Sequence, residues 1–345
     1  LEQAAKLEEA IFTTQNPIAS HALEVFAFQY AHNPLYREFS NRLGRTPLTV
    51  DRVEAIPYLP IEFFKSRRVI ASTNEDGAAD LVFRSSGTTG QVTSAHHVLH
   101  AQVYHRSYMQ AFEHFYGAPE NYRILALLPG YLERADSSLV YMVQGLIGKS
   151  GHAEGGFFLD NIEGLCGLLQ KPCERHTLLI GVSFALLDLA ESHPQMLENT
   201  TLMETGGMKG RRREPTRQEL HQQLSEAFGL QAIHAEYGMT ELLSQAYAKK
   251  EGHFETPPWM ALQLREINDP LSAVTDGRSG AINVIDLANL YSCSFIATSD
   301  LGRKHPDGST EVLGRMDYSD MRGCNLMVSD FYLGNRPKHF IQPSR

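Results

Sequence analysis

The chain has 345 residues, 42% of them hydrophobic and 21% charged, enough apolar material for one large α/β domain or two ordinary ones. Its 31 Lys and Arg against 40 Asp and Glu give a formal charge of −9, which argues against general nucleic-acid or anionic-membrane binding. Four cysteines without CxxC spacing (Cys166, Cys173, Cys293 and Cys324) read as reduced thiols of a cytoplasmic protein rather than a disulfide framework or zinc site. No apolar stretch approaches the ~20 residues of a membrane span. The start, Leu1-Glu2-Gln3, has no basic or apolar lead, so no secretory signal is expected.

Residues 1 to 45 read as helical. Asn16-Pro17 is an N-cap followed by Pro at the first helical position, and Ile18, Ala22, Val25, Phe26 and Tyr30 then recur at helical spacing. Pro47, Pro57 and Pro60 break the next stretch, and the mixed apolar segment from Ile56 to Lys65 reads as core or as a substrate-side wall. The apolar run Leu81-Val82-Phe83 leads into Ser85-Ser86-Gly87-Thr88-Thr89-Gly90. Four hydroxyls and two glycines make neither a stable helix nor a good strand, but such a loop can wrap backbone N–H groups and hydroxyls around phosphate. No Gly-Lys-Ser/Thr follows, so it is not a Walker A loop. His96, His97 and His100 come next without a fixed carboxylate partner, and a structural or substrate-side role is expected rather than zinc.

Tyr104, Tyr108, Phe112 and Phe115 form the apolar stripe of a helix. Strand and helix then alternate. Ile124 to Leu128 is a strand, and Ser137 or Ser138 caps a helix through Ile147 that Gly148 ends. Thr177 to Gly181 is a strand before a helix from Phe184 to Glu191, and Thr201 to Glu204 is a strand ending at Gly206-Gly207. Pro215-Thr216 opens a helix that Gly229 stops, and Gln231 to Ala235 is the next strand. This rhythm predicts an α/β fold with a largely parallel sheet and flanking helices. Beyond residue 255, Trp259 to Leu264, Ala281 to Ile285 and Ser294 to Ala297 predict a small β-rich subregion, read as a distorted barrel. The expected divisions are a helical region at 1–80, an α/β core at 81–255 and a β-rich subregion with a C-terminal segment at 256–345.

Three more stretches read as site loops. Gly206-Gly207, at a strand end, lets a flat ring approach the backbone, and Lys209 and Arg211 bring positive charge. Tyr237-Gly238-Met239-Thr240-Glu241 follows another strand, where ligands of open α/β sheets bind. Tyr237 can stack on a base, Thr240 can bond phosphate and Glu241 can hold Mg²⁺. Asp300 suits a ribose diol, and Arg315 suits a phosphate or ribose oxygen.

Taken in order, these four stretches resemble the core motifs of the adenylate-forming superfamily of acyl-CoA ligases, adenylation domains and luciferases. Ser85 to Gly90 resembles its phosphate loop, and Gly206-Gly207 its adenine-side loop. Tyr237 to Glu241 resembles Y-G-x-T-E, and Asp300 and Arg315 resemble the ribose aspartate and the arginine of G-R-x-D. Within that superfamily the chain most resembles the acyl-protein synthetases of luminescence-type fatty-acid reductase systems, on Leu59 to Lys65, Ser137 to Met142 and Arg322-Gly323-Cys324.

The resemblance implies the N-terminal-domain fold of that superfamily, ATP and Mg²⁺, and a carboxylic acid substrate, a fatty acid in the narrower family. It implies an acyl thioester on Cys324 and an acyl-reductase or acyltransferase partner. Transfer to coenzyme A and a degenerate binding scaffold are the alternatives. Only 28 residues follow Asp317, so the superfamily's mobile C-terminal domain, which carries a catalytic lysine, is expected to be absent, as in the acyl-protein synthetases. Nor does a lysine follow the phosphate loop soon after it. Lys209, taken as the catalytic cation, Arg211 and Lys304 are the candidates to replace the missing charge.

Overall fold

The structure is a computed structural model and describes residues 2–72, 77–86, 93–129, 134–206, 215–274 and 277–316. Helices α1 (Glu2–Thr13), α2 (Pro17–His32) and α3 (Pro34–Arg42) open the chain. The Asn16 side chain accepts from Ala19 N–H with Pro17 in the first turn. Asn33-Pro34 repeats the device at α3, where the Asn33 side chain accepts from Tyr36 N–H at 3.0 Å. Ala22, Val25 and Phe26 are buried as their spacing requires. Fully buried Gln29 donates to the carbonyls of Asn289 and Leu290 at 2.9 Å, and Asn33 donates to Ser292 O at 3.0 Å. These bonds dock α2 on residues far along the chain.

Two-residue β1 (Leu59–Pro60) and one-turn α4 (Phe63–Ser66) precede a hairpin, β2 (Leu81–Arg84) and β3 (Ala95–Val98). After these come α5 (Ala101–Tyr116), β4 (Tyr122–Leu127), α6 (Ser138–Ser150), β5 (Gly156–Phe157) and α7 (Ile162–Gln170). Then follow β6 (His176–Val182), α8 (Ser183–Ser192), β7 (Thr200–Thr205), α9 (Arg217–Phe228), β8 (His234–Tyr237) and β9 (Ala246–Ala248). The sheet order is β5-β4-β6-β7-β8-β9, parallel except for β9. β4 and β6 are almost continuously buried, as helix-covered parallel strands must be.

Local signals set most ends. Ser137 caps α6, and Thr216 with Glu219 forms a capping box on α9, which Gly229 ends at φ 66°. Two boundaries differ from expectation. α6 continues through Gly148 to Ser150 and stops at left-handed Gly151, because Leu146 and Ser150 still find buried positions. β8 begins at His234 rather than Gln231, because β7 offers it a partner only from Met203 onward.

The β-rich part is an open sheet, not a barrel. β10 (His253–Phe254), β11 (Met260–Arg265), β12 (Ser279–Asp286), β13 (Phe295–Lys304) and β14 (Thr310–Arg315) pair antiparallel in the order β10-β14-β13-β12-β11. Among the described residues β10 and β11 remain opposite edges and do not pair, so the sheet does not close. β1 adds a parallel stub to the first half of β13, and β14 takes the second half. Among the described residues no helix is long and apolar enough to cross a membrane.

Candidate functional site

The β2–β3 hairpin fixes both ends of the Ser/Thr/Gly loop. Ser85 N–H donates to Ser94 O at 3.1 Å, and Ser94 N–H donates to Ser85 Oγ at 2.9 Å. Ser86 is exposed at the loop entrance. Gly87, Thr88, Thr89 and Gly90 lie outside the described residues, as do Gly207, Lys209, Arg211 and Cys324.

Buried Ser94 lies beside the Glu241 carboxyl and favours its charged form, so the start of β3 meets the motif after β8. Glu241 is 5% exposed. Burial pushes its carboxyl above the usual range, while the Ser94 hydroxyl and the charges of Arg315 and Lys65 pull it back. Asn289 holds Glu241 O at 2.8 Å. His96, wholly buried on β3, donates from Nδ1 to the carbonyl of Thr240 at 3.0 Å. Burial lowers its pKa to about 4, so the ring is neutral, and its carbonyl partner puts the proton on Nδ1.

A second group lies where β8, β13 and β14 meet. Tyr237, the last residue of β8, is 8% exposed, and its hydroxyl donates to Asp300 Oδ2 at 2.8 Å. Asp300 and Arg315 are cross-strand partners, with Arg315 Nε 3.8 Å from Asp300 Oδ1 and the Arg315 side chain 88% exposed. Burial raises the Asp300 carboxyl, against Tyr237 and Arg315. Arg315 thus acts electrostatically on both Asp300 and Glu241, which ties the two halves of the site together. Gly238 must lack a side chain, because a Cβ there would collide with the carboxyl of Glu236.

Gly206 ends β7, one strand over, at φ 69°, a region that favours glycine, and its carbonyl accepts from the Ser183 hydroxyl at 2.6 Å. Ser85, Ser86, Tyr237, Gly238, Thr240, Glu241, Arg315 and Gly206 therefore sit at strand ends or in the hairpin beside them, and Asp300 joins them from the middle of β13, opposite Arg315. Lys304 belongs elsewhere. It donates to Gly308 O in the β13–β14 turn at 3.2 Å, four residues and about 13 Å along the strand from Asp300.

The structure adds a cation that sequence reasoning left in a segment read as core or wall. Lys65 is exposed on α4, just after two anchored neighbours. Glu62 accepts from Ser299 Oγ at 2.8 Å, and Phe64 packs edge-on against His96 with ring centroids 5.5 Å apart. The signal was present in Leu59 to Lys65, but nothing in one sequence says that β1 pairs with β13. Ser94, too, shows its role only through its contact with Glu241.

Among the described residues no cluster of three or more His, Cys, Asp or Glu could hold a metal ion, His96, His97 and His100 included. Glu241 alone fits a cation that arrives on a substrate phosphate, since Mg²⁺ is commonly bound by one or two carboxylates plus phosphate oxygens. Cys166, Cys173 and Cys293 are free thiols, and burial pushes Cys293 up to about 12.

No family model and no curated protein sequence matches the chain. Solved structures do. An open conformation of 2-hydroxyisobutyryl-CoA ligase, in complex with 2-HIB-AMP and CoA, is similar over 88% of this chain and 70% of its own, at TM-score 0.61 and 12% identity. ATP-bound MatB from Rhodopseudomonas palustris is similar over 82% of this chain and 58% of its own, at TM-score 0.52 and 18% identity. An ATP-bound RpMatB-BxBclM chimera is similar over 71% and 50%, at TM-score 0.52 and 18% identity. The chain spans about half the length of the chimera and of apo MatB. At these identities the likeness shows the fold, which is that of adenylate-forming enzymes.

Proposed function

We propose that this chain activates a carboxylic acid with ATP and passes the acyl group to a thiol. The observation that carries the reading is the set Tyr237–Asp300–Arg315, hydrogen-bonded and paired where β8, β13 and β14 meet and followed after β8 by the Thr240–Glu241 motif, on a fold shared with structures solved with ATP and with an acyl-AMP. Asp300 would accept from the ribose hydroxyls, held in place by Tyr237. Gly206 would leave room for the adenine. Ser85, Ser86 and Thr240 would donate to phosphate oxygens, with Gly87 to Gly90 and Gly207 completing the loops. Glu241 would hold Mg²⁺, which when bound neutralises charge on the phosphates.

In the proposed reaction a substrate carboxylate oxygen bonds to the α-phosphorus as the bond to the β-phosphate bridging oxygen breaks. Pyrophosphate leaves and an acyl-adenylate remains. Lys65 and Arg315, the two cations acting on Glu241, supply positive charge toward the developing negative charge, and Lys209 is a third candidate. A thiolate sulfur then attacks the acyl carbon, the bond to the AMP oxygen breaks, and a thioester forms.

The narrower proposal is an acyl-protein synthetase acting on a fatty acid. Cys324 is then the acceptor, and a reductase or acyltransferase the partner that takes the acyl group. Support comes from the Leu59–Lys65 segment, whose Lys65 acts on Glu241. The three described cysteines fit poorly as acceptors: Cys166 and Cys293 are buried, and Cys173 precedes the start of β6, with its carbonyl accepting from Asn199, at the end of the parallel sheet opposite Gly206 and Tyr237. Transfer to coenzyme A is the second reading, favoured by the 2-hydroxyisobutyryl-CoA ligase likeness.

ATP–pyrophosphate exchange with a panel of acids tests the activation step, and exchange with none of them overturns it. Intact mass after incubation with ATP, Mg²⁺ and a long-chain acid separates the acceptors. A hydroxylamine-labile acyl adduct on wild type that Cys324→Ser lacks supports the cysteine, while acyl-CoA formed by both proteins supports the second reading.

A further inference from the structure

Arg217, the first residue of α9, takes no part in the proposed chemistry yet touches three parts of the proposed nucleotide site at one remove. Its Nε donates to Glu204 Oε1 at 3.0 Å, its Nη1 donates to Val312 O at 2.8 Å, and its guanidinium lies 4.9 Å over the Phe254 ring. Each contact leads to a different part of the site. Glu204 is 2% exposed on β7, and its second oxygen shares the Ser183 hydroxyl, at 3.1 Å, with Gly206 O. Val312 is on β14, three residues before Arg315. Phe254, on β10, packs against Tyr237 with centroids 5.8 Å apart, and Tyr237 holds Asp300.

The electrostatics make this a defined joint. Burial acts to raise the Glu204 carboxyl, but His221 (3.6 Å) and Arg217 hold it below its ordinary range, so it stays ionised. A buried ion pair is weak evidence of stability, since its desolvation cost offsets its attraction. It does impose direction. The planar guanidinium presents fixed N–H vectors that a lysine cannot reproduce, here aimed at one strand of each sheet while its face covers Phe254. β7 belongs to the parallel sheet and β14 to the antiparallel one, so the same side chain spans the two.

We propose that Arg217 is a positioning residue that sets ATP affinity by holding the Gly206 turn and the Asp300–Arg315 ladder in register across the two sheets. This rests on the nucleotide reading above. Three variants test it: Arg217→Lys, Arg217→Ala and the double Glu204→Gln/Arg217→Met. The double variant leaves no unpaired buried charge and keeps an acceptor for Ser183, so it folds where Arg217→Ala fails. Calorimetric titration with a non-hydrolysable ATP analogue, the Michaelis constant for the acid in pyrophosphate exchange, and the melting temperature are measured on each.

Every folded variant is expected to bind the analogue roughly 10- to 100-fold more weakly, with Arg217→Lys the mildest, while the Michaelis constant for the acid stays within about twofold of wild type. A double variant that melts cooperatively and binds the analogue as tightly as wild type overturns the proposal and leaves a plain structural ion pair. Wild type that fails to bind the analogue overturns the nucleotide reading itself, and this inference with it.

Discussion

Two buried carboxyls, Asp300 and Glu241, face different demands. Asp300 is fixed by a Tyr237 bond and an arginine partner, and loses little by giving one oxygen to a diol. Asp300→Ala should therefore weaken ATP binding by about 1.5–3 kcal/mol, the value of hydrogen bonds to a charged group, and an unchanged dissociation constant in calorimetry would place the ribose elsewhere. Burial raises the pKa of Glu241 as it raises that of Asp300, but Glu241 must be charged to hold a cation. Its folded pKa lies above the unfolded one, so its stabilisation is complete below the unfolded value and is lost as pH rises through the folded value. Glu241→Gln removes the cost of charging this buried carboxyl as pH rises. That variant should melt no lower than wild type at pH 7.5 while pyrophosphate exchange falls by roughly 10²-fold or more. Exchange at wild-type rate would end its role as the metal carboxylate. Lys65, exposed and on a single turn of helix, separates rate from stability even more cleanly. Lys65→Met should leave the melting temperature unchanged and slow exchange by about 10- to 10²-fold; an unaffected rate would return the role to Lys209 or Arg211.

The elements that carry these side chains are held mostly by local chemistry, and that is why so many could be read in advance. Thr216 and Glu219 cap each other across one turn, so the start of α9 depends on four consecutive residues. Thr216→Ala should cost about 1 kcal/mol in denaturant midpoint analysis, and no shift would mean that packing of Leu220 and Leu224 alone sets the end. Asn16, Ser137 and Gly229 were legible for the same reason. What sequence could not show was pairing. The start of β8 is decided by where β7 offers a partner, 31 residues back, and the β2–β3 hairpin by contact across the loop. The β-rich sheet likewise takes in β1 as a parallel stub on β13, more than 230 residues along the chain. The candidate site divides along the same line. Tyr237, Thr240, Glu241, Asp300 and Arg315 announce themselves by residue type and spacing. Ser94, Lys65 and Arg217 are ordinary residues in the sequence and acquire meaning only from what they touch.

For the molecule as a whole, the buried titratable groups set opposing pH dependences. His96 and His234 are both lowered to about 4, chiefly by burial, and stay neutral in the fold. Their contribution is present above the unfolded histidine value near 6.5 and is lost as pH falls from there toward 4. Glu236 and Asp286 run the other way. Burial raises them to about 7 and about 6, so their contribution is present below the unfolded carboxyl values and is lost as pH rises toward 7 and 6. Between pH 4 and 6.5 the two sets offset one another, and above 6.5 Glu236 alone of the four is still titrating. Glu236 is buried beside Tyr247, the hydroxyl of Thr205 donates to it, and the charge of nearby Glu204 adds to the rise that burial causes. Its rise from an ordinary 4.5 to about 7 corresponds to on the order of 3 kcal/mol of folding free energy lost between acid and neutral pH. Glu236→Gln, which keeps an acceptor for Thr205, should therefore match wild type near pH 4.5 and become progressively more stable than wild type up to pH 8. Denaturant unfolding at each pH reads the difference directly. A gap that stays constant with pH would show that Glu236 is not titrating in this range, and that its buried oxygen is held ionised by partners beyond Thr205.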